Sequence, residues 1–216
     1  MSEGLPVVLL HGALRSSLGL QPTAAYLRRR GLRARAFDYP TRKGTLEDHA
    51  AALDTFVRGW LGDAPPAEIG FLTHSMGGLV VRAYLGGGHT LGPSQRVVML
   101  SPPNQGSALA ERNRGQRLFR WLYGDAADEL VPARAQRLPA LPASADVLVL
   151  AGGRGDARGW NPWLHGDDDG VVAISEMSLP GVDPQLVGGV HAMLQWRAQV
   201  LDRAVAFLLR PRTGVA

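Results

Sequence analysis

The chain of 216 residues carries 23 basic and 19 acidic side chains, which gives a formal net charge of +4, and 45% of its residues are hydrophobic. This length and composition are typical of one globular domain with its own core. The absence of cysteine excludes disulfides, thiolate nucleophiles and cysteine-ligated zinc.

The positive charge does not indicate a nucleic-acid partner. All but one of the 23 basic residues are arginines, and they are scattered, with a single tight run at 28–30 where a helix is predicted to end. Cations at that end interact favourably with the helix dipole, so we predict a solvated surface and no binding of nucleic acid. Residues 1–6 lack the pattern of a signal peptide, and no apolar stretch approaches the roughly 18 residues of a membrane span. We therefore expect a cytoplasmic protein without an integral membrane segment.

Short apolar runs alternate with helical patterns along the chain. Six runs are predicted to be strands: Leu5–Leu10, Ala34–Asp38, Ile69–Thr73, Arg96–Leu100, Asp146–Ala151 and Leu186–Val190. Helical periodicity marks four segments: Gln21–Arg30, Leu46–Trp60, Met76–Leu85 and Ala192–Leu209. Strands that alternate with helices favour a parallel sheet covered by helices. The prediction is an α/β fold in a single domain, 1–216, with a six-stranded, mainly parallel sheet and helices on both faces.

One interval, 104–145, interrupts this alternation. It contains an apolar group around Phe119, Trp121 and Leu122 followed by a proline-rich loop, and connections this long commonly carry their own structure or function. We predict a cap-like or lid-like excursion above the sheet with one or two short helices. These three residues, with Trp163 further along, are candidates for substrate binding; the alternative is that they only pack the excursion onto the body.

The most informative segment is Ile69–Val81. An apolar run leads into His74, Ser75, Met76 and Gly77, and a helical pattern follows. This arrangement is typical of a nucleophile elbow, a sharp turn that strains a serine and exposes its hydroxyl above the sheet. The position two before the serine, where glycine is usual, is Thr73. A serine that only caps the helix is the alternative; we predict that Ser75 is a nucleophile.

Several segments resemble bacterial lipases and esterases of the α/β-hydrolase superfamily. Thr73–Gly78 is similar to their elbow, Leu9–Ala13 to the His-Gly turn after the first core strand, Pro102–Ser107 to the Pro-Asn-x-Gly-Ser segment, and Asp169–Val172 to the segment that carries the acid. The matches span 7–191 and keep the family's order of serine, acid and histidine. The resemblance implies an α/β-hydrolase fold and a serine enzyme that cleaves carboxylic esters without a cofactor.

A serine hydroxyl needs a base within hydrogen-bond reach to become a good nucleophile. His191 follows the last apolar run and precedes the closing helix, at the sheet edge where Ser75 also emerges, so we predict that it is the base. The other histidines are assigned elsewhere. We expect structural roles for His11 and His74, surface positions for His49 and His89, and a place near the pocket for His165.

The acid that orients the base has two main candidates. Asp169 is preferred, because Asp-Gly-Val-Val resembles the family's acid segment. Asp156 is the rival, because it lies closer to the end of the preceding strand. The three consecutive aspartates 167–169 also raise the possibility of a calcium site. Neighbouring residues rarely converge on one ion, and we expect a solvated turn for Asp167 and Asp168.

Acyl transfer builds negative charge on the carbonyl oxygen, which backbone N–H groups can stabilise. One donor is expected to be the amide of Met76, directly after the nucleophile. By the resemblance, the other is the amide of Ala13. The expected substrate is a small or lipid-like ester. An acyltransferase of the same fold, or a binding protein without catalytic activity, remains an alternative.

Overall fold

A computed structural model describes residues 4–62, 66–89 and 92–211, and six strands in it form one sheet. The strands are β1 (Pro6–Leu10), β2 (Arg33–Phe37), β3 (Ile69–His74), β4 (Gln95–Leu100), β5 (Ala145–Ala151) and β6 (Gln185–Leu186). Their order is β2-β1-β3-β4-β5-β6, and every pairing is parallel. The predicted fold class is therefore confirmed. Because β1 lies between β2 and β3, the chain reverses its direction of travel across the sheet there. The resulting crevice at the carboxyl ends is where ligands bind in open α/β sheets.

Helices cover both faces of this sheet. They are α1 (Gln21–Arg29), α2 (Leu46–Leu61), α3 (Met76–Gly86), α4 (Ala108–Asn113), α5 (Arg117–Tyr123), α6 (Ala126–Glu129), α7 (Pro132–Ala135) and α8 (Ala198–Leu209). Strand side chains alternate between the faces. Val8 and Leu10 of β1 pack in a core with α2 and α3, whereas Val7 and Leu9 pack in a second core with α1 and α8. No helix within the described ranges has the length and apolarity needed to cross a bilayer.

The last strand and the closing helix are shorter than predicted. Strand β6 ends at Leu186 instead of Val190, because Gly188 and Gly189 adopt positive φ angles of 68° and 95°. The closing helix is interrupted at Arg197, whose backbone is extended between a 3₁₀ segment, His191–Trp196, and α8. The Arg197 guanidinium donates to the carbonyls of Val187 and Gly188. This contact links the turn after β6 to the break at Arg197. The regular α-helix therefore begins at Ala198, although the periodicity of the sequence predicts a helix from Ala192.

The excursion at 104–145 contains four short helices, α4 to α7, instead of one or two. Gly124 ends α5 with a φ of 58°, and a Cβ there would lie 2.1 Å from the Arg42 carbonyl oxygen. Pro132 begins α7, where its missing N–H costs nothing. These turn residues divide the excursion into more short helices than the sequence predicts.

Candidate active site

Ser75 lies in a strained turn between β3 and α3. Its φ of 53° and ψ of −125° are rarely adopted by a residue other than glycine, and the surrounding structure holds it there. Close packing against β1 explains the glycine two residues later, since a Cβ on Gly77 would lie 2.8 Å from the Leu10 carbonyl oxygen. Thr73 is fully buried at the position where glycine is usual. The elbow therefore forms with threonine there.

The imidazole of His191 is held by a carboxylate. Its Nδ1 lies 2.6 Å from Oδ2 of Asp169, and the His191 backbone N–H donates to the Asp169 carbonyl at 2.8 Å. The other carboxylate oxygen, Oδ1, accepts from the backbone N–H groups of Val171 and Val172 at 3.0 and 2.8 Å. Both Asp169 and His191 are buried. This arrangement fixes which nitrogen of His191 carries the proton and leaves Nε2 for other chemistry.

The charge of Asp169 depends on these hydrogen bonds. Burial raises the pKa of its carboxyl, but the hydrogen bond with His191, the attraction of that imidazole, and donors from Ser101 and Val172 outweigh burial, and the pKa lies below its ordinary value. Asp169 is therefore ionised at neutral pH. An ionised carboxylate at Nδ1 stabilises a positive charge on the imidazole.

Ser75 and His191 line the same cavity, of about 510 Å³, at the carboxyl edge of the sheet. Within the described residues their side chains do not form a hydrogen bond with each other. Such contacts are commonly long before substrate binds and tighten in the complex. The structure thus brings the hydroxyl and the Asp169-bound imidazole to one cavity.

The two predicted oxyanion donors flank Ser75. Ala13 lines the cavity in the loop after β1, and Met76 is the first residue of α3. Among the described residues neither amide has a hydrogen-bond acceptor, and the first N–H groups of a helix normally lack one. Gly12 brings the loop close, since a Cβ there would lie 2.9 Å from the Ser75 Cβ. Both amides therefore remain available to a bound oxygen.

The neighbouring aspartates have structural contacts. Asp156 lies in an exposed turn, pairs with Arg154 at 2.9 Å and makes no described contact with His191. Asp167 accepts the amides of Arg154 and Gly155 at 2.8 Å. Asp168 is fully buried and accepts the amides of Asn161 and Gly170. The predicted solvated turn is therefore wrong for Asp168, because this carboxylate is satisfied by backbone N–H groups. In the described parts of the chain, no cluster of three or more potential ligands has the arrangement of a metal site.

His74 is the histidine nearest to the site. Its Nε2 lies 2.9 Å from the His191 carbonyl oxygen, and the two ring centres are 4.7 Å apart. Burial, and then the neighbouring His191, lower the pKa of His74 to about 3. It is therefore neutral, with Nε2 donating, and its buried Nδ1 has no described partner. His74 supports the backbone that carries the predicted base.

Three of the other histidines also have described surroundings. His11 is buried and stacks on Tyr39 with ring centres 4.3 Å apart. The predicted surface position of His49 is wrong, because it is buried beside the same tyrosine. His89 is partly exposed and stacks on Tyr84. His165 is exposed and lies outside the described lining of the cavity.

The predicted substrate-binding residues divide into two groups. Phe119 and Trp163 line the cavity, together with Tyr123, which stacks on Phe119 with ring centres 4.3 Å apart. Trp121 and Leu122 do not belong to the described lining, and Trp121 is 68% exposed. At 3.6 residues per turn, 119 and 123 share one side of α5 and 121 projects from the opposite side. The helical phase therefore separates residues that sequence proximity groups together.

Three residues to which sequence analysis assigns no role of their own hold the surroundings of the site. Buried Arg82 of α3 donates to the carbonyls of Asn104 and Ala135 at 2.6 and 3.3 Å. Asn104 in turn donates to the Met177 carbonyl at 2.8 Å, and Glu176 accepts the Ala108 amide that begins α4. A charged residue inside the apolar pattern 79–85 is the one sequence signal that points to Arg82. These bonds join the excursion to the segment that carries Asp169.

Comparison with solved structures identifies the fold. The mature lipase BlEst2 of Bacillus licheniformis is similar with a TM-score of 0.71 and 18% identity over 96% of this chain and 90% of that one. The propeptide form of that lipase is longer, and this chain covers 53% of it. The carboxylesterase CesB of Bacillus subtilis is similar with a TM-score of 0.56 and 17% identity, over 97% and 85% of the two chains.

An alpha/beta hydrolase fold protein from Burkholderia ambifaria has a TM-score of 0.62 and 16% identity, with 97% of this chain and 91% of that chain covered. No family model matches the chain, and no curated protein matches it significantly. Likeness at these identities concerns the fold. The chain therefore has the α/β-hydrolase fold, the same fold as lipases and carboxylesterases of known structure.

Proposed function

We propose that the protein is a serine hydrolase that cleaves carboxylic esters through an acyl-enzyme on Ser75. The observation that carries the proposal is the shared cavity, which is lined by a strained serine and by a histidine bound to an ionised, buried aspartate. The likeness of the fold to lipases and carboxylesterases supports the same reaction class. We propose ester hydrolysis for this chain on the basis of that site.

In the first half of the reaction, the Ser75 oxygen attacks the ester carbonyl carbon and its proton passes to Nε2 of His191. The carbonyl π electrons move to the oxygen, and the amides of Ala13 and Met76 donate to this oxyanion. Asp169 holds the imidazole at Nδ1 and stabilises its positive charge. When the tetrahedral intermediate collapses, the bond to the alcohol oxygen breaks and His191 protonates the leaving alcohol.

In the second half, His191 removes a proton from water as the water oxygen attacks the acyl carbon. Collapse of the second intermediate breaks the bond to Ser75, which takes the proton back from His191, and the carboxylic acid leaves. These steps use side-chain and backbone groups of the chain. Losing one oxyanion donor typically costs about 100–1,000-fold in rate.

The part of the cavity that the excursion lines suits an acyl chain. Leu109, Ala110, Phe119, Tyr123 and Leu130 line it with apolar surface. Burial of apolar surface stabilises a bound chain by roughly 25 cal/mol per Å². We expect p-nitrophenyl esters of medium acyl length to have a larger kcat/KM than the acetyl ester; a maximum at acetyl would contradict this assignment of the cavity.

The nucleophile is tested by covalent labelling with a fluorophosphonate probe. Wild type is expected to be labelled, and Ser75→Ala is expected to lose both labelling and ester hydrolysis. Ser107→Ala is the matched control, because Ser107 lines the same cavity but caps α4 through its hydroxyl. Equal labelling of wild type and Ser75→Ala, or loss of labelling in Ser107→Ala alone, would overturn the proposal.

A further inference from the structure

A second cavity adjoins the one that contains Ser75. It has a volume of about 700 Å³, and Leu14 and Arg15 line both cavities. Its other walls come from Ser16 and from the loop after β2, residues 38–43. The second cavity, here named the basic cleft, is therefore formed by the loops that follow β1 and β2 at the carboxyl edge of the sheet.

The basic cleft carries an excess of positive charge. Arg15, Arg42 and Lys43 line it, and Lys43 is the only lysine of the chain. The one carboxylate in the lining is Asp38. Three cations against one carboxylate leave a net charge of +2 beside a cavity that is otherwise mainly apolar.

The cations are available to a ligand. Among the described residues, none of the three is paired with a carboxylate. Arg42 donates to the Trp121 carbonyl, and its guanidinium carbon lies 5.9 Å from the ring centre of that tryptophan. The guanidinium carbon of Arg15 likewise lies 5.8 Å from the ring centre of Trp196. Both contacts restrain the guanidinium groups without neutralising them.

The nearby carboxylates are already engaged. Asp38 accepts the Ser17 amide at 2.6 Å and lies 3.4 Å from Nε2 of His11. Asp125, which lies outside the lining, accepts the Gly44 amide at 2.8 Å. These contacts fix both carboxylates within their loops. The three cations are therefore expected to bind an anionic group of a ligand.

We infer that the basic cleft binds a phosphate monoester on the alcohol side of the ester substrate, through Arg15, Arg42 and Lys43. The inference rests on the proposed function. If the acyl chain lies against the apolar lining from the excursion, the alcohol can reach the basic cleft past Leu14 and Arg15, which line both cavities. A phosphate monoester carries about −1.5 to −2 charges at neutral pH, which matches the cleft better than the single charge of a carboxylate. Guanidinium groups bind phosphate oxygens in a bidentate manner.

The kinetic test compares two soluble substrates with the same acyl group, 1-butyrylglycerol and 1-butyrylglycerol 3-phosphate. We expect wild type to have a kcat/KM about tenfold larger for the phosphate ester, from charge-assisted contacts in an open cleft. This ratio should fall to about one in the double variant Arg42→Gln/Lys43→Gln, and it should also fall as salt screens the cleft. Arg203→Gln, which removes an exposed cation of α8 that lines neither cavity, should keep the wild-type ratio.

A binding test separates this inference from the proposed reaction. Calorimetry with Ser75→Ala and glycerol 3-phosphate measures the cleft without hydrolysis, and the triple variant Ser75→Ala/Arg42→Gln/Lys43→Gln is its control. Binding that needs the two cations supports the phosphate site even if no ester is cleaved. The inference is overturned if glycerol 3-phosphate does not bind to Ser75→Ala and if the ratio of kcat/KM for the two esters is the same in wild type and in Arg42→Gln/Lys43→Gln. Hydrolysis of the neutral ester by wild type would still leave the proposed function intact.

The same pair of substrates with a palmitoyl chain distinguishes the two sources of a phosphate monoester. A preference for the phosphate ester at either chain length supports the inference. The chain length with the larger kcat/KM then indicates whether the natural substrate is a lipid with a phosphate headgroup or a small soluble ester. A neutral ester preferred at both lengths would contradict the assignment of the cleft.

Discussion

The elbow and the acid loop reach the same cavity by different physical routes. The elbow, residues 73–78, is formed by consecutive residues where β3 leads into α3, and it packs closely against β1. The acid loop, residues 152–184 between β5 and β6, is held by hydrogen bonds between residues far apart in the chain. Asn104 donates to Met177, and Glu176 accepts from Ala108. Local sequence therefore specifies the nucleophile, whereas the position of the acid depends on the folded surroundings.

The largest expected effect concerns the acid loop. Asp169→Asn replaces the oxygen that accepts from Nδ1 of His191 and removes the negative charge that stabilises the protonated imidazole. We expect kcat for a p-nitrophenyl ester to fall by about 10⁴-fold, as when the equivalent contact of a serine triad is lost. Asp156→Asn is the control and should retain nearly full activity. A larger loss in Asp156→Asn than in Asp169→Asn would reverse the assignment of the acid.

A substitution at Gly77 tests the packing of the elbow against β1. Gly77→Ala places a Cβ 2.8 Å from the Leu10 carbonyl oxygen and 2.9 Å from that of His11, so the backbones of β1 and α3 must separate. We expect the free energy of unfolding to fall by about 1–3 kcal/mol, with loss of activity. A Cβ on Gly59 of α2 would meet no atom within 4 Å, so Gly59→Ala should raise the free energy of unfolding by about 0.5–1 kcal/mol. Equal stability of the two variants in urea denaturation would contradict the packing argument.

The buried histidine of the elbow predicts a pH dependence of stability. The pKa of His74 is lowered to about 3, against about 6.5 in the unfolded chain, so between these values only the unfolded state binds the proton. The stabilisation is fully present above pH 6.5 and decreases as pH falls, by up to about 1.4 kcal/mol per pH unit. Burial lowers the pKa of His11 and His49 as well, and they act in the same direction.

His74→Gln is expected to reduce this slope, because the amide can still donate to the His191 carbonyl but does not titrate. Urea midpoints of wild type and variant at several pH values between 7 and 4 measure the difference. Parallel curves for the two proteins would show that His74 contributes nothing to the pH dependence.

The smallest expected effect concerns the excursion. Phe119→Ala removes an apolar wall of the cavity and should lower kcat/KM for a medium-chain ester about tenfold, with less effect on the acetyl ester. Trp121→Ala, on the opposite side of α5, should leave the chain-length profile nearly unchanged. Thermal denaturation of both variants controls for stability. A stronger effect of Trp121→Ala would mean that the excursion rearranges when substrate binds.

The sequence predicts the layered fold well, because each strand and helix has its own periodicity. The strands β1 to β5 begin and end within one residue of prediction, and the long helices α1 to α3 begin where expected. Predictions are wrong where specific side-chain contacts override the periodicity or polarity of a segment. Arg197 interrupts a continuous helical pattern, His49 is buried beside Tyr39, and Asp168 is satisfied inside a turn of three aspartates.

For the candidate site, residue types and their order along the chain predict Ser75 and His191, because strand ends of a parallel sheet meet at one edge. The resemblance of Asp169–Val172 to the family's acid segment adds Asp169. The strained φ of Ser75 is likewise predicted by the elbow pattern, in which an apolar strand leads through the serine into a helix. Their catalytic roles remain proposals, which the variants above test.

Folding decides which side chains surround that unit. Phe119 faces the cavity and Trp121 does not, and the loops after β1 and β2 bring Arg15, Arg42 and Lys43 to one cleft. No spacing in the sequence specifies these neighbours, because contact between distant segments depends on how the helices and loops pack over the sheet. Local backbone preferences and polarity fix the elements, and close packing between them selects the surfaces that a substrate meets.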